Sequence, residues 1–346
     1  MGKRQVIVTF PMRDPAVVAE ANRVEGDFEL SYIPIQLHLD NLELLRLYQS
    51  GDKAALLALA QKFPQDFLDR LGEAEVLYGL YFPVDLLQRA PKLKWIANMG
   101  SGTEQYGPLG ILGSHVTLTS SKGVAARSIA EFTLGQLLVL AKRFPERLRY
   151  QAAHQWKRMQ HIDLYGKTLG IVGLGEIGSE VARLAKAFGM RVLATRRREG
   201  GDLPPNVDTM FLVRDLRAML AQCDAVVLAL ASTAESRGLI GAAELATMKK
   251  GAYLANIARG DVIDEPALIR SLQDGHLGGA ALDVFVKEPL QQESPLWDLP
   301  NVVMSTHNSI GMDDYPGMAF AAFIANLQRY ARGEALHQVV DPKFGY

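Results

Sequence analysis

The strongest constraint on this chain is the alternation of short apolar runs with helical stretches, repeated about every 20–30 residues to beyond residue 300. The runs are QVIVTF (5–10), AEVLY (74–78), KWIANM (94–99), TLGIV (168–172), RVLAT (191–195), DAVVLAL (224–230), AYLANI (252–257), GAALDV (279–284) and NVVMS (301–305). Most are near-continuous in apolar residues rather than alternating with polar ones. A strand without a polar face needs cover on both faces, which the intervening helices supply. The pattern predicts an α/β fold with parallel sheets. Helical stretches are read at 41–63 (broken by Gly51), 84–88, 125–143, 176–189, 215–222, 242–248, 266–273 and 318–332. The 125–143 stretch is apolar on more than one stripe, through Ile129, Phe132, Leu134, Leu137, Leu138 and Leu140, and is expected to be buried on several sides. Residues 144–166 show no strong period.

At 346 residues the chain suggests two domains. Its 37 Lys+Arg against 38 Asp+Glu leave a net charge of −1, which argues against electrostatic capture of nucleic acid or an anionic membrane. Charges interrupt every apolar stretch before it reaches membrane-span length. A single cysteine, Cys223, allows no internal disulfide and no cysteine cluster, and the six histidines other than His307 show no ligand spacing, so no metal is expected. The apolar run at the N-terminus is too short for a secretory signal. A cytoplasmic location is expected.

Strand TLGIV runs into Gly173-Leu-Gly175-Glu176-Ile177-Gly178, a GxGxxG motif that opens an amphipathic helix. In that setting the first glycine makes the tight turn and the second lets backbone approach a pyrophosphate. The third permits close strand–helix packing, with the helix N-terminus facing the phosphates. Dinucleotide binding is the reading; a methyltransferase loop or an ordinary glycine-rich turn are its alternatives. The next strand ends in Thr195-Arg196-Arg197-Arg198, with no acid for the ribose hydroxyls. A guanidinium suits a 2′-phosphate, so NADP(H) is favoured over NAD(H), with a solvated basic turn as the alternative.

Three residues follow predicted strand ends, where open α/β sheets bind ligands: Arg259 in ARGD, Glu288 in KEP and His307 after VVMST. A His–Glu pair is a general acid/base, and a nearby Arg can hold a carboxylate or polarise a carbonyl. Taken singly, each also reads plainly: His307 as a satisfied surface histidine, Glu288 as a solvated acid and Arg259 as an ion-pair partner.

The stretches GKTLGIVGLGEIGSEVARLAKAFGM, SRGLIG, NIARGDVIDEPALIRSLQDGHLGGAALDVFVKEPL and LPNVVMSTHNSIG resemble the D-isomer-specific 2-hydroxyacid dehydrogenases, in order and spacing, from about 125 to 311. The resemblance puts the family's catalytic Arg, Glu and His on Arg259, Glu288 and His307, and its nicotinamide-side aspartate on Asp283. Ile257 joins the cofactor residues. The weaker match PKLKWIANMGSGTEQYG looks like the loop for the substrate carboxylate, at Met99, Gly100, Ser101 and Gly102. The resemblance also implies two Rossmann-like, doubly wound parallel-sheet domains. One is a discontinuous, flavodoxin-like substrate domain (1–120 plus 312–346), the other an NAD(P)-binding Rossmann domain (121–311). A homodimer is implied too.

This sequence departs from the common pattern at Arg196 (usually Asp in NAD-dependent members), at Ala231 and Thr306 (often Pro), and at Thr103-Glu104 (often a hydrophobic-acid pair). The expected reaction is NADPH-dependent reduction of a 2-oxo acid, glyoxylate- or hydroxypyruvate-like, to a D-2-hydroxy acid, and its reverse. The alternatives are a formate- or phosphite-type oxidoreductase on the same scaffold and a dinucleotide-sensing corepressor. Leu80, Tyr81 and Met12 are expected near the substrate side chain.

Overall fold

A computed structural model describes residues 3–10, 19, 21–37, 41–311 and 315–343; Met12 lies outside them. The chain divides into two compact units, Met1–Val124 with Met312–Tyr346, and Ala125–Gly311. The division falls four residues beyond the expected position 120. The reason is local: Ser121 is tied back to the first unit, its N–H donating to Gly100 O and its hydroxyl to Asn98 O.

In the first unit, β1 (Arg4–Val8), β2 (Phe28–Tyr32), β3 (Ala74–Gly79), β4 (Trp95–Asn98) and β5 (Thr117–Thr119) form a parallel sheet of order β2-β1-β3-β4-β5. This 2-1-3-4-5 order is the flavodoxin-like one. The expected 41–63 helix is two, α1 (Asn41–Ser50) and α2 (Lys53–Ala60), because Gly51 takes φ +65 and Asp52 caps the second by accepting from the Ala54 and Ala55 amides. They are followed by α3 (Gln65–Arg70) and α4 (Leu86–Arg89).

In the second unit, α5 (Ala126–Ala141) and α6 (Phe144–Ala152) precede β6 (Thr168–Val172), α7 (Glu176–Ala187), β7 (Arg191–Arg196) and β8 (Thr209–Leu212). Then come α8 (Leu216–Leu220), β9 (Ala225–Leu228), α9 (Ala242–Thr247), β10 (Tyr253–Asn256), α10 (Glu265–Gln273), β11 (Gly279–Leu282) and β12 (Val302–Met304). The parallel sheet runs β12-β11-β10-β9-β6-β7-β8. Counted from β6 it is 3-2-1-4-5-6 with one added strand, the Rossmann order, and its direction reverses between β6 and β9. Strands β9, β10 and β11 are buried at every position, as their nearly all-apolar sequence requires. Helix α7 buries Gly178, Val181, Ala182 and Ala185, one stripe at helical spacing, with Glu176 in its first turn and Lys186 in its last, each matched to the helix dipole.

The chain ends in α11 (Tyr315–Ala331), which belongs to the first unit. Phe323 lies 4.6 Å from the Tyr78 ring and 5.5 Å from Trp95, both fully buried on β3 and β4. Burying the Phe323 side chain stabilises by roughly 1.5–3 kcal/mol. Val339 bridges antiparallel to Thr119, fixing the returning chain at the β5 edge. The elements not foreseen from sequence, β2, β5, β8, α3 and α6, are short and mostly edge or surface pieces with too few apolar positions to set a period.

Candidate active site

The glycine turn lies where β6 exits, beside the point at which the strand order reverses. Gly173 has φ +97, and a Cβ there would fall 2.6 Å from Ala229 O, so the turn is pressed against the chain leaving β9. A Cβ on Gly178 would fall 2.3 Å from Gly173 O. At Gly175 nothing lies within 4 Å of the Cβ position, and this residue heads α7 without a side-chain cap. The helix N-terminus therefore faces open space with its first-turn amides uncapped by any side chain, a cradle suited to a pyrophosphate. Glu176 is exposed and Ile177 half-buried at the start of α7.

Thr195, buried at the end of β7, accepts a 3.3 Å bond from the Gly173 amide and keeps its own hydroxyl proton to donate. Arg196 is half-buried and donates to Gly201 O at 3.3 Å, and Arg197 is exposed. Arg196 also lines a cavity of about 470 Å³ with Met210, Phe211 and Asp215. Ile257 is buried, its amide bonded to Leu228 O.

Strands β10, β11 and β12 are sheet neighbours, so the loops at their carboxyl ends converge. These loops carry Arg259, Glu288 and His307. The Arg259 loop is held hard against the chain leading to Glu288: a Cβ on Gly260 would fall 1.9 Å from the Phe285 carbonyl carbon. Glu288 Oε1 accepts from the Phe285 amide at 2.9 Å, and Oε2 lies 2.9 Å from His307 Nδ1. That contact assigns the Nδ1 proton to the carboxylate side and leaves Nε2 as the outward nitrogen. Burial pushes the Glu288 carboxyl up. The His307 hydrogen bond and charge, the Phe285 amide and the Arg259 charge outweigh it, and the group is held below its ordinary value of 4.5. Arg259 is half-buried, with Nη1 donating to Ala258 O at 2.8 Å, and Asn256 Nδ2 donates to Arg259 O at 3.0 Å.

Asp283 is buried, and its carboxylate accepts from Ser305, Asn308 and Ser309. No three His, Cys, Asp or Glu side chains gather in a metal-binding group among the described residues. None of the helices searched there is long and apolar enough to cross a membrane.

In the first unit the 99–102 loop rests on neutral side chains that sequence reasoning missed. Asn98, 2% exposed, donates through Nδ2 to Gly100 O (2.9 Å) and Gly102 O (2.7 Å), and its Oδ1 accepts from the Gly100 amide (3.2 Å) and the Tyr106 hydroxyl (3.2 Å). The Met99 amide donates to Gly79 O at 2.9 Å. Tyr315 of α11 donates to Met99 O at 2.7 Å, and burial pushes its phenol up to about 12, so it remains a donor at working pH. Leu80 sits beside the loop, its Cδ1 3.1 Å from a Cβ built on Gly100, and the Tyr81 ring lies tilted against Tyr48 at 5.4 Å. The available signal was an amide-bearing residue ending an apolar strand just before a glycine, WIAN-M-G.

Residues 134–309 match the model for the NAD-binding domain of D-isomer-specific 2-hydroxyacid dehydrogenases. The chain is 34% identical over 290 residues to glyoxylate reductase of Aeropyrum pernix, covering 80% of this chain and 86% of that one. It is 31% identical over 315 residues, 88% of its length, to D-3-phosphoglycerate dehydrogenase of Methanocaldococcus jannaschii, of which it spans only 58%. The crystal structure of an NADPH-dependent glyoxylate/hydroxypyruvate reductase from Sinorhizobium meliloti, in complex with NADP and sulfate, aligns with a TM-score of 0.77 at 26% identity, over 99% of this chain and 100% of that one. With the Rossmann sheet, the glycine cradle and the convergent strand-end loops, these likenesses place the chain in the D-isomer-specific 2-hydroxyacid dehydrogenase family.

Proposed function

We propose that this protein reduces a small 2-oxo acid of the glyoxylate or hydroxypyruvate kind to the D-2-hydroxy acid, with NADPH preferred, and catalyses the reverse. The observation that carries the reading is the 2.9 Å contact between His307 Nδ1 and Glu288 Oε2 on the Arg259 side of the sheet. The glyoxylate reductase relative and the NADP-bound neighbour support the substrate and the cofactor.

Under this reading Gly173, Gly175, Glu176, Ile177 and Gly178 receive the pyrophosphate, Thr195, Arg196 and Arg197 the 2′-phosphate end, and Ile257 and Asp283 the nicotinamide side. Bound nicotinamide supplies the hydride. Arg259 binds carboxylate and carbonyl oxygen, drawing charge from the carbonyl as it turns to alkoxide. Protonated His307 gives its Nε2 proton to that oxygen, and ionised Glu288 orients the ring and favours its charged form. In the 99–102 loop, the Met99 and Gly100 amides are engaged within the chain, so the amides of Ser101 and Gly102 are the donors for the substrate carboxylate. Unit Ala125–Gly311 is thus the cofactor domain and the discontinuous unit the substrate domain.

A homodimer belongs to the same reading. Trp156, 99% exposed, and Leu148, 59% exposed, are apolar surface that a second copy would cover, and sedimentation of the purified protein tests this. The function itself is tested by NADPH oxidation with a panel of 2-oxo acids and chiral analysis of the product. Turnover to the D-hydroxy acid is expected; no turnover with any member of the panel would overturn the assignment.

A further inference from the structure

We propose that Ser305 and Asp283 are positioning residues that hold His307 in line for proton transfer. The inference rests on the acid role of His307 proposed above.

Asp283 follows directly on β11 and is 1% exposed. Its bonds go to the segment that carries His307. Oδ1 accepts from the Ser305 hydroxyl at 2.7 Å and the Asn308 amide at 3.0 Å, and Oδ2 accepts from the Ser309 amide at 3.3 Å. Its backbone carbonyl accepts from the His307 amide at 2.8 Å. Four donors from residues 305–309 therefore converge on one buried residue. Ser305 is held in turn from the other side, accepting from Gln136 Nε2 at 3.2 Å on the buried face of α5.

The clamp has a visible consequence. His307 takes φ +55, in the left-handed region that side-chain-bearing residues adopt uncommonly. This turn brings Nδ1 onto Glu288 Oε2 and leaves Nε2 outward. Loosening residues 305–309 releases the backbone toward an extended conformation and swings the imidazole off its partner, a displacement to which proton transfer is sensitive.

An ionised carboxylate has about four acceptor sites. Three are used by the clamp, which leaves one on Oδ2 for a cofactor on the nicotinamide side. Variants of Asp283 would mix the two roles, whereas Ser305 separates them, since its hydroxyl serves only the clamp.

The test uses the full-length protein as wild type, Ser305→Ala, Ser305→Thr, His307→Ala and the Ser305→Ala/His307→Ala double variant. Glyoxylate and hydroxypyruvate are the substrates, and NADPH binding is followed by fluorescence. The clamp predicts that Ser305→Ala lowers kcat about 10-fold or more while KM and the NADPH Kd change by less than about twofold, and that Ser305→Thr returns kcat to within about threefold of wild type. In the His307→Ala background the Ser305 substitution adds no further loss, because its effect runs through the imidazole. Wild-type kcat in Ser305→Ala beside an impaired His307→Ala overturns the clamp alone, as does a Ser305 loss that persists without His307. Wild-type turnover in His307→Ala, or no turnover of either acid by wild type, overturns the acid assignment beneath it.

Discussion

The carboxyl ends of the two sheets are furnished in opposite ways. At β10, β11 and β12 the loops carry charge: Arg259, Glu288 and His307, with Arg196 at the end of β7 in the same sheet. At β4 residues 99–102 carry none, and they are braced through neutral hydrogen bonds by Asn98, Ser121 and Tyr315, with Tyr106 holding the Asn98 side chain. A group that must move a proton needs a titratable side chain whose charge its neighbours can tune. A loop that presents amides to a carboxylate needs only fixed geometry, and neutral buried donors and acceptors provide it without adding a charge to desolvate. Under the proposed function, the same β-strand–loop device serves chemistry in one sheet and positioning in the other.

The comparison breaks most visibly at His307. His307→Ala is expected to lower kcat for oxo-acid reduction about 10²–10⁴-fold with little change in NADPH Kd, measured by steady-state kinetics and fluorescence. An effect confined to KM would move His307 out of the charged, reactive set. Next in size is cofactor choice. One charge-assisted contact from Arg196 to a 2′-phosphate is worth roughly 1.5–3 kcal/mol, or about a 10–150-fold preference for NADPH in kcat/KM. Arg196→Asp should reverse the ratio, and an unchanged ratio would make the basic run a solvated turn. Smaller again is the neutral network. Asn98→Ala removes both donors from the 100 and 102 carbonyls and leaves half-buried acceptors short of partners, so it should cost about 1–2 kcal/mol of stability in denaturant unfolding. It should also raise KM for the oxo acid about 10-fold while leaving kcat within a few-fold. A kcat loss as large as that of His307→Ala would erase the distinction between the two regions.

The charged region was legible because its residue types are costly to bury without a purpose and stand at strand ends that periodicity already marks. Arg259, Glu288 and His307 could be singled out at strand ends, each with a plain alternative until the family resemblance grouped them, and the glycine motif announced its own strand and helix. The neutral region was not legible in the same way. Asn98, Tyr106 and Ser121 are ordinary polar residues in a sequence, and their value arises only from burial among partners up to 26 residues apart (Tyr106 and Leu80), or 216 for Tyr315 and Met99. The clamp on His307 escaped notice for a like reason, since Ser305 and Gln136 are 169 residues apart. Edge strands β2, β5 and β8 were missed because a strand of three to five residues has too few apolar positions to set a period.

The central claim is that Glu288 and His307 act as one proton-donating pair, and the pH–rate profile of reduction in wild type and Glu288→Gln tests it most directly. With its carboxyl held below the ordinary value of 4.5, Glu288 is ionised throughout the neutral range and favours the charged imidazolium. The neutral amide of the variant gives no such support. Reduction by Glu288→Gln should therefore fall off at lower pH than in wild type, moving the basic limb downward. Superimposable basic limbs in the two proteins would contradict the account.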